Sequence, residues 1–443
     1  MPAIERSITQ EGVQLAVLPE DSGRSSTQNG PPRAGRRILF VEQFYFPDGW
    51  GGAELPLDLT VYLARCGFDV EVICGSDQYA QVEGDPPPDP RSDGVRIRRI
   101  PALLRGNIHR AKLLRQLWFY LALGPLLLLR RPPDVFMTQT NPPLAMILVA
   151  AAAQLWRRPM IVIAMDIYPE VLIAHGALSP GTLLGKLLQH AFRWAYRRAQ
   201  RIVALGPVMR ERLEAKGVSR ARLVEIPNWA TGMPGLVSGA ANRLRAEWGL
   251  EDKFVLLYSG NLGLAHEFDT FLRGVQEAVR SVPSLRVVFI GRGRRLEDVR
   301  RRVGELGLDG VVRFSDLLPA RRLPESFGIA HLAVVTLQPG FAGLVVPSKL
   351  QGYMARGVPV LYVGPDSDVE RFVMRSMGGL CFRCNDVEGV ATSLIELAGN
   401  RERLALLALK ARQFFDGEFA APHGLARYAG LIRAVLNESS SVP

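Results

Sequence analysis

Short runs of consecutive apolar residues alternate with longer stretches in which apolar positions recur every three or four residues. The short runs read as strands buried on both faces and the longer ones as helices, which predicts an α/β protein built on parallel sheets. Strands are expected at 38–42, 70–74, 134–138, 160–164, 201–205 and 223–226. A second series follows at 254–259, 285–290, 311–314, 332–337, 358–363 and 380–382, with helices between and a closing helical segment over 420–436. Strand, glycine loop, helix, strand is the start of a doubly wound sheet, and it occurs twice.

At 443 residues, 48% of them hydrophobic, the chain is long enough for two complete cores. Residues 1–36 are polar, with Ser, Gly, Pro and Arg clusters, and read as a disordered leader. The Gly/Pro/Ser-rich run from Pro227 to Gly239 reads as a linker. The expected division is a first domain over 37–232, a second over 250–419, and a tail over 420–443 that returns to the first.

The net charge of +11 calls for an anionic partner. Positive charge is concentrated in two stretches without Asp or Glu, 94–133 and 171–210, where Arg and Lys are interleaved with Leu, Trp, Phe and Tyr. Such a mixture fits helices lying on an anionic membrane surface, apolar atoms inward and cations on phosphates. Core-facing helices with a solvated basic face are the alternative. No recognised nucleic-acid motif is present, and the longest apolar runs fall short of the ~20 residues of a membrane span. The expectation is a soluble or peripheral protein. Four scattered cysteines make neither a disulfide scaffold nor a zinc site and fit a reducing compartment.

Candidate chemistry gathers where strands end. Gly51 and Gly52 open the first helix without the dinucleotide G-x-G-x-x-G spacing, and mark either ligand approach to the backbone or a plain tight turn. Asn141, Asp166 and Glu170 follow buried strands and are expected along one wall of a cleft. In the second half, Gly260, Asn261 and Gly263 form a phosphate-sized turn, with His266 just beyond and Arg292 in a Gly-Arg-Gly turn. The stretch 343–360 is the most informative. Ser348 and Gln351 have capping-box spacing before a helix over 349–356, Gly357 suits a left-handed ending, and Pro359 blocks continuation. Lys349 beside that helix start makes an anion site for a nucleoside diphosphate. Gly352, costing about 1 kcal/mol inside a helix, implies close approach by another group. A tightly packed structural helix is the other reading. Glu370, after a Gly-Pro-Asp-Ser-Asp turn, either faces a ribose or complements a helix dipole.

Several phrases taken in order resemble glycosyltransferase family 4, in particular its WbuB-like group linked to bacterial surface polysaccharides. They are Phe46-Pro with Gly51-Gly-Ala-Glu54, Asn141-Pro-Pro143, Asp166-Ile-Tyr-Pro-Glu170, Ile226-Pro-Asn-Trp229, Tyr258-Ser-Gly-Asn-Leu-Gly263, His266-Glu-Phe-Asp-Thr270, Ile290-Gly-Arg-Gly293 and Gly343-Leu-Val-Val-Pro-Ser-Lys349 with Gly352. The resemblance spans about residues 37 to 435. It implies a GT-B fold, two Rossmann-like domains facing across a cleft, with a nucleotide-sugar donor in the second and the acceptor in the first. The implied reaction is glycosyl transfer with retention, without cofactor or bound metal, onto a polyprenyl-diphosphate-linked saccharide at the inner face of the cytoplasmic membrane. Asp166, Glu170 and His266 are the catalytic candidates. Gly51, Gly52, Asn141, Gly260, Asn261, Gly263, Arg292, Ser348, Lys349, Gly352 and Glu370 are the binding candidates. The family's paired glutamates fall on Leu344 and Gly352, and its Arg and Lys after the first strand of the second domain on Asn261 and His266. Arg292, Lys349 or Arg294 are then left to neutralise the phosphates. A catalytically silent GT-B binding protein and a sugar-nucleotide 2-epimerase share the architecture and stay open as alternatives.

Overall fold

The computed structural model describes residues 35–46, 54–75, 94–101, 109–230, 242–319 and 322–440. Most of the proposed leader, the Gly51-Gly52 turn and most of the proposed linker lie outside these residues.

The first lobe is a seven-stranded sheet: β1 (Arg37–Val41), β2 (Asp69–Gly75), β3 (Val95–Ile100), β4 (Val135–Gln139), β5 (Met160–Ala164), β6 (Arg201–Ala204) and β7 (Leu223–Glu225). All pairs are parallel, in the order β3-β2-β1-β4-β5-β6-β7, with Ile38 opposite both Val70 and Val135. The second lobe holds β8 (Phe254–Ser259), β9 (Leu285–Ile290), β10 (Val312–Ser315), β11 (Leu332–Thr336), β12 (Val360–Val363) and β13 (Gly379–Phe382). These too are parallel, ordered β10-β9-β8-β11-β12-β13. Strand order reverses at β1/β4 and at β8/β11, so each lobe has a switch point at the carboxyl ends of those strands, where open α/β sheets take ligands.

Continuous burial explains the strands that are plain in the sequence: every residue of β4, β5, β8 and β11 is buried. β3 was not among the expected strands. It alternates Val95, Ile97 and Ile100 with Arg96, Arg98 and Arg99 because it is the sheet's edge, where one row of side chains is solvated and Arg96 reaches Asp69 at 2.8 Å. The basic stretch is therefore part strand, followed by the helix His109–Leu128.

The aromatic residues of the two basic stretches divide between core and surface, with Trp194 exposed and Trp118 and Tyr120 partly buried. Phe119, Phe192 and Tyr196 point into the core, while Leu114, Leu117, Leu121, Leu183, Leu184 and Leu187 are exposed. These leucines lie on the helices His109–Leu128 and Leu183–Arg198, which flank the helix Pro143–Leu155 on one side of the first sheet. No helix among the described residues is long and apolar enough to cross a membrane.

The final helix, Ala421–Ser440, lays Leu425, Tyr428, Ile432 and Val435 against the first sheet. Trp229 fixes it, with its ring edge-on to Tyr428 and its Nε1 donating to Asp58 at 2.9 Å. One buried apolar cluster continues through both lobes, joining Tyr168, Met209 and Leu213 to Phe341, Leu344 and Val369.

The polar contacts between lobes are built by two short segments. Ala342 O accepts from Arg212 Nε at 3.1 Å, Leu344 O accepts from the Ile167 N–H at 2.9 Å, and Val345 bridges Asp166 as an antiparallel pair. Gly343, at φ +67°, lies so close to Val208 and Arg212 that a Cβ there would clash. The second segment is the helix Asp368–Ser376, whose Asp368 and Arg371 reach the helix Pro207–Ala215.

Candidate active site

The second-lobe site is assembled at the ends of β8 and β9. Gly260 (φ +125°) and Gly291 (φ +147°) bring two turns into backbone contact, with Gly260 N–H donating to Ile290 O and Leu262 N–H to Arg292 O, both at 2.8 Å. A Cβ on Gly291 would lie 2.0 Å from Gly260 O, and one on Gly293 2.3 Å from Leu262 O. Only glycine permits this stacking.

Lys349 lies across the first of these turns, and a Cβ on Gly260 would meet its Cε at 2.9 Å. Its ammonium donates to Asn261 O (3.2 Å), stands 3.4 Å from Nε2 of His266, and sits 4.9 Å from the centre of the Tyr258 ring. Tyr258 carries no sequence signal of its own beyond preceding the glycine turn. Its hydroxyl also donates to Asn261 O, at 2.8 Å, which holds the ring under the lysine. Burial lowers the Lys349 amine to about 8. No carboxylate pairs with it among the described residues.

His266 is buried, with Nδ1 2.7 Å from Thr336 O. A carbonyl only accepts, so Nδ1 carries the proton and Nε2 the lone pair. Burial, reinforced by Lys349, drops the ring to about 3. His266 is thus a neutral imidazole with both nitrogens engaged, Nδ1 by Thr336 O and Nε2 by the Lys349 ammonium.

The other second-lobe candidates divide. Asn261 contributes its carbonyl, and the Gly263 position is bare beside the Asn261 side chain. Ser348 does not cap its helix: its backbone is already helical (φ −68°, ψ −8°) and its side chain makes no capping bond, whereas a cap needs an extended backbone. The Ser348 hydroxyl is left exposed next to Lys349. The helix itself runs Lys349–Ala355, with Gly357 left-handed at φ +65°. Gly352 falls on the Lys349 side of that helix. A Cβ there would meet only Phe327, at 3.9 Å, so close packing within the chain does not account for the glycine. Arg292 is drawn to Asp316 (3.2 Å) on the surface rather than to Lys349. Arg294 is exposed and near enough to His175 of the first lobe to lower its basicity, after burial. Glu370 is tied to Arg383 at 2.6 Å beneath its own helix start.

On the first lobe, Asp166 and Asn141 stand at the ends of β5 and β4, and each is partly buried. Burial raises the Asp166 carboxyl to about 6, and it has no hydrogen-bond partner among the described residues. Its backbone is held by Thr140 Oγ1 (3.1 Å) and by the bridge to Val345, four residues before Lys349. The segment that carries Lys349 thus meets the Asp166 backbone of the other lobe through Val345. Glu170 does not join them: its Oε1 is in an ion pair with Lys216. Gly51 and Gly52 lie outside the described residues. One buried acid was missed in the sequence. Glu42 directly follows β1 at the first switch point, with Oε1 accepting from Gln43 N–H at 3.0 Å, and it read as the last residue of an apolar strand.

The family described as "Glycosyl transferase 4-like domain" matches residues 51–229, and "Glycosyl transferases group 1" matches 241–414. The chain is 26% identical over 317 residues to "Probable glycosyltransferase WbjE" of Pseudomonas aeruginosa, covering 70% of this chain and 76% of that one. It is 27% identical over 178 residues to the GDP-mannose-dependent alpha-(1-6)-phosphatidylinositol monomannoside mannosyltransferase of Mycolicibacterium smegmatis, covering 40% of this chain and 46% of that one. Its fold matches the crystal structure of Anabaena Alr3699/HepE with UDP and glucose at a TM-score of 0.68 and 13% identity, over 90% of this chain and all of that one. The two family matches meet at the boundary between the two lobes, and the chain belongs to the glycosyltransferases of GT-B architecture.

Proposed function

We propose that this glycosyltransferase moves a sugar, with retention, from a nucleoside-diphosphate sugar held by the second lobe to a lipid-linked saccharide held by the first. The observation that carries the donor reading is the Lys349 ammonium, set over a glycine turn among a carbonyl, an imidazole and an aromatic face, with no carboxylate to neutralise it. A cation left unpaired in partial burial is costly unless an anion completes it. A departing diphosphate is such an anion, and positive charge already fixed in place is what stabilises it as the glycosidic bond breaks. Arg294 and the Ser348 hydroxyl are the further contacts, and no metal or cofactor enters the proposal. Asp166, whose buried carboxyl has no hydrogen-bond partner among the described residues, is the first-lobe group we assign to the reacting sugar or the acceptor hydroxyl.

The lipid-linked acceptor, which we take to be a polyprenyl-diphosphate saccharide of a bacterial surface polysaccharide, is supported by two things. One related mannosyltransferase is named for a phosphatidylinositol-anchored acceptor. The exposed leucines of His109–Leu128 and Leu183–Arg198, with Lys186, Arg193 and Arg197 nearby, form a surface suited to an anionic bilayer. Such a surface would hold the protein at the inner face of the cytoplasmic membrane.

The test is incubation with radiolabelled UDP- and GDP-sugars, with and without bacterial lipid extract. Label passing into the lipid phase is the expected outcome. Saturable nucleotide binding without turnover would instead make the chain a silent binding protein, and a chemically altered free sugar nucleotide would make it an epimerase.

A further inference from the structure

We infer that His266 is a positioning residue, an uncharged acceptor whose Nε2 lone pair holds the Lys349 ammonium in place over the Gly260 turn. The inference rests on reading this site as the nucleoside-diphosphate site and adds the device by which its cation is held.

The side chain that holds a lysine for an anionic ligand has a particular difficulty. A carboxylate would orient the ammonium well but would cancel its charge and repel the phosphates. A neutral acceptor orients without cancelling. His266 meets that requirement because its Nδ1–H donates to Thr336 O at 2.7 Å, which leaves Nε2 facing Lys349 at 3.4 Å as an acceptor only. Further contacts keep the ring from turning. Tyr258 lies edge-on at 5.6 Å, Phe268 is tilted at 5.9 Å, and the His266 carbonyl accepts from Arg295 Nη1 and from Gln338 Nε2. The charged and titratable neighbours are Lys349, Arg295, Tyr258 and the adjacent Glu267. Both cations disfavour a second proton on the ring, as does burial, so it stays neutral through the physiological range.

The arrangement has a pH signature with a definite sign. Burial holds the Lys349 amine at about 8, well under an ordinary lysine, so the ammonium is present below that pH and is lost above it. Diphosphate affinity should be level up to about pH 8 and then fall about tenfold per unit until the pKa of the occupied site is reached. Removing the Nε2 acceptor destabilises the ammonium form, which moves the fall to lower pH.

The experiment titrates UDP and GDP into the full-length chain by calorimetry between pH 6.5 and 9.5, comparing wild type with His266→Phe and His266→Gln. Phe keeps a ring of similar size and has no acceptor, whereas Gln places an oxygen near the Nε2 position. Thermal melts establish that each variant is folded. Expected are a loss of about tenfold in affinity at pH 7.5 and an earlier fall with pH for the Phe variant, with Gln within about threefold of wild type. A second measurement needs no nucleotide. The chain has only six lysines, Lys112, Lys186, Lys216, Lys253, Lys349 and Lys410, so lysine-selective 13Cε labelling resolves the titration of Lys349, assigned by Lys349→Arg. Its midpoint should drop in His266→Phe and recover in His266→Gln. The inference is overturned if His266→Phe keeps the wild-type affinity and midpoint. It is equally overturned if both variants weaken alike while the Lys349 midpoint stays put, which is what lost packing alone would do. Wild type binding neither UDP nor GDP overturns the donor-site reading instead, and the lysine titration then judges the His266–Lys349 contact by itself.

Discussion

Asp368 Oδ1 accepts a hydrogen bond from the backbone N–H of Val208 at 2.7 Å, so a carboxylate of one lobe caps a helix of the other. Its Oδ2 takes the Met209 N–H at 3.0 Å, and Gly206 makes the room: a Cβ there would lie 2.3 Å from Oδ1. Helix Pro207–Ala215 has no side-chain cap of its own. Beside this contact, Arg371 forks onto Glu211 at 2.7 and 3.2 Å, a surface pair worth under about 1 kcal/mol. Asp368→Ala should therefore cost about 1–2 kcal/mol in urea unfolding and speed amide exchange at Val208 and Met209. Unchanged exchange at those two amides would show that the cap does not hold the lobes together.

The same residue has a pH dependence opposite to that of most paired carboxylates. Burial outweighs its two hydrogen bonds and holds Asp368 at about 6, above the ordinary value near 3.9. Between those values the folded chain keeps a proton that the unfolded chain has released. Its contribution to stability is thus greatest below about pH 4, declines as pH rises to 6, and is constant above. Asp368→Asn lacks this titration. Relative to wild type it should gain about 2–3 kcal/mol between pH 4 and 7, read from paired urea midpoints. A constant difference across that range would mean the carboxyl titrates normally.

Gly291→Ala tests the stacked turns that carry the donor site. The substitution puts a methyl group 2.0 Å from Gly260 O at a φ of +147° that alanine resists. We expect a loss of about 1–3 kcal/mol of stability together with weakened UDP or GDP binding, because the two turns must part. Gly310→Ala, where a Cβ meets nothing within 4 Å, is the control.

How much of this was legible beforehand depends on distance along the chain. The strands were, because burial on both faces writes an uninterrupted apolar run, and β3 was not, because an edge strand carries its solvated arginines in alternation. Lys349 and the glycine turns stood out as local motifs. Ser348 misled because spacing alone does not reveal a backbone already helical before the expected cap. What the sequence does not display is the pairing of residues far apart along it. Glu170 with Lys216, His266 with Thr336 and Asp368 with Val208 are separated by 46, 70 and 160 positions, and only the packing of helices on the sheets brings them together.

Lys349 and Asp166 should separate kinetically. Lys349→Ala removes the unpaired cation and should weaken UDP or GDP binding ten- to a hundredfold, or about 1.5–3 kcal/mol, the range for hydrogen bonds to charged groups. Asp166→Asn leaves the donor lobe intact. Its nucleotide affinity should stay within about twofold of wild type while kcat falls about a hundredfold or more, as when one stabilising group is removed from a reacting centre. If both variants lose nucleotide affinity equally, Asp166 belongs to the donor site and not to the opposite wall.

The exposed leucines make the final prediction, on membrane attachment. Leu117 and Leu121 are four residues apart, with Leu114 three before Leu117, so the three share one face of the helix His109–Leu128. Leu183, Leu184 and Leu187 cluster at the start of the second basic helix, Leu183–Arg198. Water gains nothing from such a face, whereas an acyl boundary removes its apolar area from solvent at about 25 cal/mol per Å². The surrounding arginines and Lys186 add an attraction that salt screens beyond about 8 Å at physiological ionic strength. Pelleting with phosphatidylglycerol-rich vesicles should thus have two separable parts. Raising salt should weaken it without abolishing it, and Leu117→Ser with Leu121→Ser should reduce it about tenfold at every salt concentration while nucleotide binding is unaffected. Pelleting that vanishes with salt and ignores the leucine changes would reduce the contact to charge alone. No pelleting at all would leave these leucines for a protein partner and remove the bilayer from the proposal.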